Sequence, residues 1–178
     1  MNVLATNIDQ AVIIKPAVFG DERGFFLETF QVERYKQLAG IEAPFVQDNH
    51  SRSAKNVLRG LHFQKTKPQG KLVRVVRGEV FDVVVDIRKG SPSFGQWTGV
   101  LLSEENKRQF WVPPGLAHGF VVLSDVADFE YKCTDYYDPW DEGCLIWNDP
   151  AVGIVWPEGI EPILSAKDQM GVLFDALR

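Results

Sequence analysis

The chain has 178 residues, 45% of them apolar and 24% charged, a balance that excludes disorder, collagen and coiled coil. One domain over residues 1–178 accommodates that length, and at this size roughly 70% of the unfolded chain's surface is buried, so stability requires no disulfide or metal staple. The formal net charge of -5 argues against a nucleic-acid or membrane-surface binder, which needs a broad positive face. It leaves room for a small anionic ligand held by a few local cations.

From the N-terminus, MNVLATNIDQAVIIKP lacks a basic n-region and meets Asp9 before any long apolar run, so no signal peptide is read and a cytoplasmic location is expected. The stretches that follow are short, rich in β-branched and aromatic residues, and bounded by Gly, Pro, Asn or Asp, which is the signature of strands. They cover Ala11–Phe19, Phe25–Phe30, Phe45–Ser53, Val57–Phe63, Leu72–Arg77, Val80–Ile87, Trp97–Leu102, Gln109–Val112, Gly119–Leu123, Phe129–Cys133 and Leu145–Trp147. Strands so short and so numerous predict a β-sandwich or barrel.

Helical patterns are few. Gln31–Ala39 ends at Gly40 as a helix C′ position should, Ser103–Lys107 has the length of one turn, and Ala166–Leu177 reads as a last short helix with Ser165 as its N-cap. Gly78 hinges the Leu72–Arg77 and Val80–Ile87 strands, where a positive φ carries no Cβ penalty. Alternation in the second of these puts Asp82 and Asp86 on one face. The two cysteines, Cys133 and Cys144, have neither metal spacing nor a disulfide framework.

The three histidines, His50, His62 and His118, all adjoin strand patterns. In Leu58-Arg59-Gly60-Leu61-His62-Phe63-Gln64, period 2 places Leu58, Gly60, His62 and Gln64 on one face and Arg59, Leu61 and Phe63 on the other. Gly60 would leave room for a ligand over the sheet. Taken alone, His62 reads as a core histidine satisfied by a carbonyl. Arg23, Arg59 and Lys71 flank glycine-rich turns, where a guanidinium grips phosphate oxygens and an ammonium supplies a point charge. Each alone reads as a solvated surface cation; together they favour an anionic ligand.

His118 lies in Pro113-Pro114-Gly115-Leu116-Ala117-His118, a PxGxxH pattern that resembles the second half-motif of the cupin superfamily. The first half-motif of metal cupins carries HxH, and Gln64 stands where the second of those histidines would be. That substitution removes a metal cage and frees His62 for proton transfer. The expected fold is therefore mainly β, a cupin-type jelly-roll β-sandwich or barrel with a few short helices.

Longer strings carry a closer resemblance. Val18-Phe19-Gly20-Asp21-Glu22-Arg23-Gly24-Phe25-Phe26, Phe45-Val46-Gln47-Asp48-Asn49-His50-Ser51, Val57 to Gln64, Gly70-Lys71-Leu72-Val73-Arg74, Tyr131 to Tyr137 and Leu164-Ser165-Ala166-Lys167-Asp168, in that order, resemble the dTDP-4-dehydrorhamnose 3,5-epimerases over nearly the whole chain. The resemblance implies inversion of C3 and C5 of a dTDP-4-keto-6-deoxy sugar without cofactor or metal. His62 would be the general base, Asp168 its dyad partner, Tyr131 the proton donor on the opposite face, and Lys71 the charge beside the C4 oxygen. Arg23, Arg59 and His118 would hold the diphosphate or sugar, while Glu28, Gln47, Asp48, Asn49, Glu142 and Lys167 would line the nucleotide and sugar pocket. Tyr137 would stack on thymine, and the chain would form a homodimer. Rival expectations are a 3-epimerase or a 5-epimerase only, a metal-dependent cupin oxygenase, and a non-catalytic nucleotide-sugar-binding cupin.

Overall fold

The computed structural model describes residues 1–178. Its strands are β1 (Asn2–Ala5), β2 (Val12–Lys15), β3 (Val18–Asp21), β4 (Gly24–Leu27), β5 (Gln47–Ala54), β6 (Leu58–Gln64), β7 (Lys71–Arg77), β8 (Glu79–Asp86), β9 (Trp97–Ser103), β10 (Gln109–Val112), β11 (Leu116–Val122), β12 (Val126–Cys133) and β13 (Glu142–Cys144). Two antiparallel sheets form a sandwich, one in the order β1-β2-β10-β7-β12-β5 and the other β13-β6-β11-β8-β9, with β3-β4 a separate hairpin. Helices α1 (Val32–Ala39) and α2 (Ala166–Gln169) lie outside the sheets.

Most strands fall where the apolar runs predict, and the departures have local causes. Ala11–Phe19 divides at Pro16 into β2 and β3, since proline cannot donate to a ladder. The N-terminal β1 escaped the pattern because four residues carry too little periodicity to read. Leu145–Trp147 is not a strand; the second neighbour of β6, beside β11, is Glu142–Cys144 instead.

Gly78 is more than a hinge. The strand before it belongs to the six-stranded sheet and the strand after it to the five-stranded sheet, so the chain changes layers at this residue. Its φ is 75°, and a Cβ there would lie 2.1 Å from the Val126 carbonyl oxygen, which leaves glycine as the residue that fits.

Between the sheets sit Val73, Val75, Val80, Val84, Leu102, Phe110, Phe120 and Phe129. The Phe120 and Phe129 rings stack at 4.2 Å, and burying each such side chain contributes about 1.5–3 kcal/mol. The far side of the five-stranded sheet is covered by the C-terminal segment, where Val152 and Phe174 pack on Leu61, Phe63, Val83 and Val85. On the far side of the six-stranded sheet, Tyr35 of α1 packs with Ile14, Ile41, Leu72 and Trp111, and its hydroxyl donates to Gln109 Oε1 at 2.7 Å. As predicted, α1 ends at Gly40 in the left-handed region, φ 68°.

The expected helix over Ala166–Leu177 is broken. Only Ala166–Gln169 is α-helical and Phe174–Leu177 is a 3-10 turn. At Gly171 a Cβ would lie 2.6 Å from the Ile146 nitrogen, and Val172 exchanges backbone bonds with Cys144 and Ile146 at 2.8 and 2.9 Å. The segment is held extended against the end of β13, which a helix could not reach.

Candidate active site

The five-stranded sheet places His62 at the centre of β6, directly opposite His118 of β11. Period 2 would then send Arg59 to the other face, but it does not. The β6–β11 register shifts between His118 and Phe120, so Arg59 lies opposite Phe120, a core residue between the sheets. Cross-strand partners point the same way, and the irregularity therefore returns Arg59 to the face of His62. Its Nε donates across the sandwich to Ser53 Oγ at 2.9 Å.

The same shift corrects the reading of Gly60. A Cβ there would lie 2.6 Å from the His118 carbonyl oxygen, and one on Gly119 would lie 2.5 Å from that of Arg59. The two glycines let backbones approach each other rather than leave space for a ligand.

His62 and Asp168 form a close pair at the site. His62 Nε2 is 2.6 Å from Asp168 Oδ1, and Ser165 Oγ donates to Oδ2 at 2.7 Å while capping α2 through the Asp168 amide. Burial works against the charge on Asp168, yet the bonds from His62 and Ser165, the His62 charge and the Gly60 amide hold its carboxyl below the usual carboxylate range. An ionised Asp168 accepts from Nε2–H, so in the neutral imidazole Nδ1 is the nitrogen free to take a proton.

A cavity of about 270 Å³ opens beside this pair, lined by Gln47, Asn49, His62, Phe63, Gln64, Gln69, Lys71, Tyr131, Tyr137 and Glu142. Lys71 Nζ is 6.0 Å from the Tyr131 ring centroid. Burial pulls the Lys71 ammonium down, and the carboxylates of Asp82 and Glu142 oppose that. Burial pushes the Tyr131 phenol up, as does Cys133, while Arg59 pulls it down; the hydroxyl keeps its proton at neutral pH. Tyr137 donates to Glu142 Oε2 at 2.7 Å, which raises its phenol to about 12. Glu142 also pairs with Lys167; burial disfavours its charge, and the bonds from Lys167 and Tyr137 with the His62 charge still keep its carboxyl low.

The remaining predicted residues are placed less uniformly. Asp48 neighbours the cavity residues on β5 but pairs outward with Lys132 at 3.0 Å. His118 is buried, its Nε2 held by both Asp82 oxygens at 3.0 and 2.9 Å, so one ring nitrogen is already committed to the core. Glu28 pairs with Arg34 and does not line this cavity. Arg23 sits on the β3–β4 hairpin with its side chain 85% exposed and its guanidinium on Asp21, also outside the cavity.

Gln69 on the cavity wall and Cys144 beside His62 escaped the sequence, and Gln64, singled out there for its place in the motif, proves to hold a loop. Gln69 donates to the Asp135 carbonyl at 2.7 Å, and Gln64 exchanges two bonds with the Asp138 backbone, both 2.9 Å. Cys144 stands opposite His62 in the β13–β6 register, a neighbour hidden because β13 lies three residues before the predicted strand. These bonds also answer whether a metal-cupin cage would fit: Gln64 spends its amide on a loop and His118 spends Nε2 on Asp82, so the donor set does not match.

The fold and site together define a cupin-like sandwich with a histidine–aspartate pair at the wall of a cavity. The family model described as dTDP-4-dehydrorhamnose 3,5-epimerase matches residues 5–176. The dTDP-4-dehydrorhamnose 3,5-epimerase of Salmonella typhimurium is 59% identical over 176 residues, 98% of this chain and 96% of that one. Among solved structures, the dTDP-6-deoxy-D-glucose-3,5-epimerase of Legionella pneumophila in complex with dTDP-4-keto-L-rhamnose superposes with a TM-score of 0.95 at 60% identity, covering 98% of this chain and 93% of that one. A 3'-monoepimerase from Streptomyces bikiniensis in complex with dTDP-quinovose reaches 0.90 at 35% identity, covering 98% and 88%. The chain belongs to the dTDP-4-dehydrorhamnose 3,5-epimerase family, and is an isomerase of the epimerase type.

Proposed function

We propose that the chain converts dTDP-4-dehydro-6-deoxy-D-glucose to dTDP-4-dehydro-L-rhamnose by inverting C3 and C5, with no cofactor, in dTDP-L-rhamnose biosynthesis. The observation that carries this reading is the His62–Asp168 contact of 2.6 Å at the wall of a cavity that also holds Lys71 and Tyr131. Both carbons flank the C4 ketone, so a proton leaves either one once the enolate oxygen is stabilised and a base is near. His62 Nδ1 takes the proton, Asp168 stabilises the imidazolium, and Lys71 faces the enolate oxygen. Tyr131 returns a proton to the opposite face, which inverts the centre.

Gln47, Asn49, Tyr137 and Glu142, already on the cavity wall, and Asp48, Arg59 and Lys167 near it, contact the nucleotide and sugar, with Tyr137 stacking on the base, while His118, buried on Asp82, supports His62 from the neighbouring strand. Arg23 and Glu28 lie off this chain's cavity. Phe19, Phe25 and Phe26 of the same hairpin are 62–70% exposed, apolar surface of the kind a partner covers. This supports a homodimer in which the hairpin carries Arg23 to the other subunit's site.

The test is incubation with the 4-keto-6-deoxy sugar nucleotide in D₂O, with the product read by NMR. Deuterium at both C3 and C5 with L configuration is expected. Label at one carbon only makes the chain a monoepimerase, and dTDP binding without label makes it a binding protein. Tyr131→Phe should keep the exchange catalysed by His62 while losing inversion; loss of both together removes the two-group assignment.

A further inference from the structure

Cys144 has no part in the proton transfers, yet it stands beside the group that makes them. β13 pairs with β6 so that Cys144 and His62 are directly opposite, and opposed residues in an antiparallel pair direct their side chains to one face. α2 brings Asp168 to the same point. One ligand atom from each of His62, Cys144 and Asp168 lies within 4.8 Å of the others.

Thiolate, imidazole and carboxylate are the ligand types of Zn²⁺, with bonds of about 2.3 Å to sulfur and about 2.0–2.2 Å to nitrogen and oxygen. Ligand atoms on one tetrahedral ion are thus about 3.3–3.7 Å apart. His62 and Asp168, now 2.6 Å apart, need to open slightly, and Cys144 needs to approach. The thiol's hydrogen bond is a weak one of 3.6 Å to the Leu145 carbonyl, so little is lost when it moves. His62 and Cys144 are both part-exposed, which leaves an entry path and room for water as the fourth ligand.

We propose that Cys144, His62 and Asp168 form an inhibitory binding site for a thiophilic divalent cation of the Zn²⁺ class. As the ion enters, the Cys144 thiol releases its proton to solvent, the His62 imidazole keeps its one proton by shifting it from Nε2 to Nδ1, and the metal replaces the hydrogen bond that aligns His62. The donors come from β13, β6 and α2 rather than from the cupin half-motifs. Only the consequence for turnover rests on His62 being the base; binding of the ion does not.

The experiment adds Cd²⁺ and Zn²⁺ to the purified wild type, Cys144→Ser, Cys133→Ser and Asp168→Asn. One equivalent of Cd²⁺ is expected to give a thiolate charge-transfer band in the wild type and Cys133→Ser, and none in Cys144→Ser. Zn²⁺ affinity, read by competition with a chromophoric chelator, should fall by at least about 10-fold in Cys144→Ser and in Asp168→Asn. The second variant keeps the result interpretable should Cys144→Ser fail to fold. Turnover should fall in step with occupancy and return with EDTA. A band that persists in Cys144→Ser, or equal Zn²⁺ affinity in wild type and both ligand variants, overturns the site. Full turnover at full occupancy overturns the inhibition, and a metal-free wild type that turns over separates that failure from failure of the epimerase reading.

Discussion

Two histidine–aspartate pairs of the sandwich are joined at hydrogen-bond distance, 3.0 Å or less, and they differ in depth. In His62–Asp168 the side chains are 27% and 5% exposed; in His118–Asp82 they are 6% and 0% exposed. Asp168 also accepts from Ser165 and the Gly60 amide, and these bonds outweigh burial and keep its carboxyl low. Asp82 accepts from His118 alone, and burial pushes its carboxyl up against the pull of His118 and Lys71. A pair at the cavity wall with an over-supplied carboxylate can exchange protons with a ligand. A pair in the core, short of donors, positions its neighbours and contributes to stability.

Substitutions at the carboxylates sharpen that contrast. Asp168→Asn should lower turnover by about 10²–10⁴-fold, since an amide neither fixes the tautomer nor stabilises the imidazolium; progress curves by NMR read the loss at a temperature well below the variant's own melting point, because the ionised carboxylate also stabilises the fold. Asp82→Ala should invert the pattern. It leaves the buried His118 Nε2–H without an acceptor, a cost of about 1–3 kcal/mol measured by urea unfolding, and turnover should fall less than in Asp168→Asn. If Asp82→Ala lowers turnover as far as Asp168→Asn does, depth does not divide the roles.

A smaller effect belongs to Asp86, on the same face of β8 as Asp82. It accepts from Arg88, Ser91 and Ser93; burial opposes its charge, but these bonds lower its carboxyl to about 2. A depression of that size corresponds to about 2 kcal/mol, so Asp86→Asn should lose roughly that at pH 7. Because the folded value is depressed, the stabilisation is full above the unfolded value of about 3.9 and is lost as pH falls toward 2. The gap between wild type and Asp86→Asn should close over that window in urea titrations.

Much of this was legible in the chain. Short Val- and Phe-rich runs gave the strands, Gly40 gave the end of α1, and alternation in β8 put Asp82 and Asp86 together. The motif strings carried the family and marked His62, Lys71, Tyr131 and Asp168 before any geometry. What escaped depended on distant backbone. The face of Arg59 is set by where β6 meets Gly119, the end of α2 by the approach of Gly171 to Ile146, and the neighbour of His62 by a three-residue strand with no periodicity. A local pattern holds no information about contacts that arrive from elsewhere in the chain.

If the accessible pair moves the protons, His62→Asn loses them. The rate of deuterium incorporation from D₂O into the 4-keto-6-deoxy sugar nucleotide, measured beside wild type at equal substrate occupancy, should fall by at least about 10²-fold at both C3 and C5 with dTDP affinity retained; exchange at the wild-type rate at either carbon would mean that His62 is not the base.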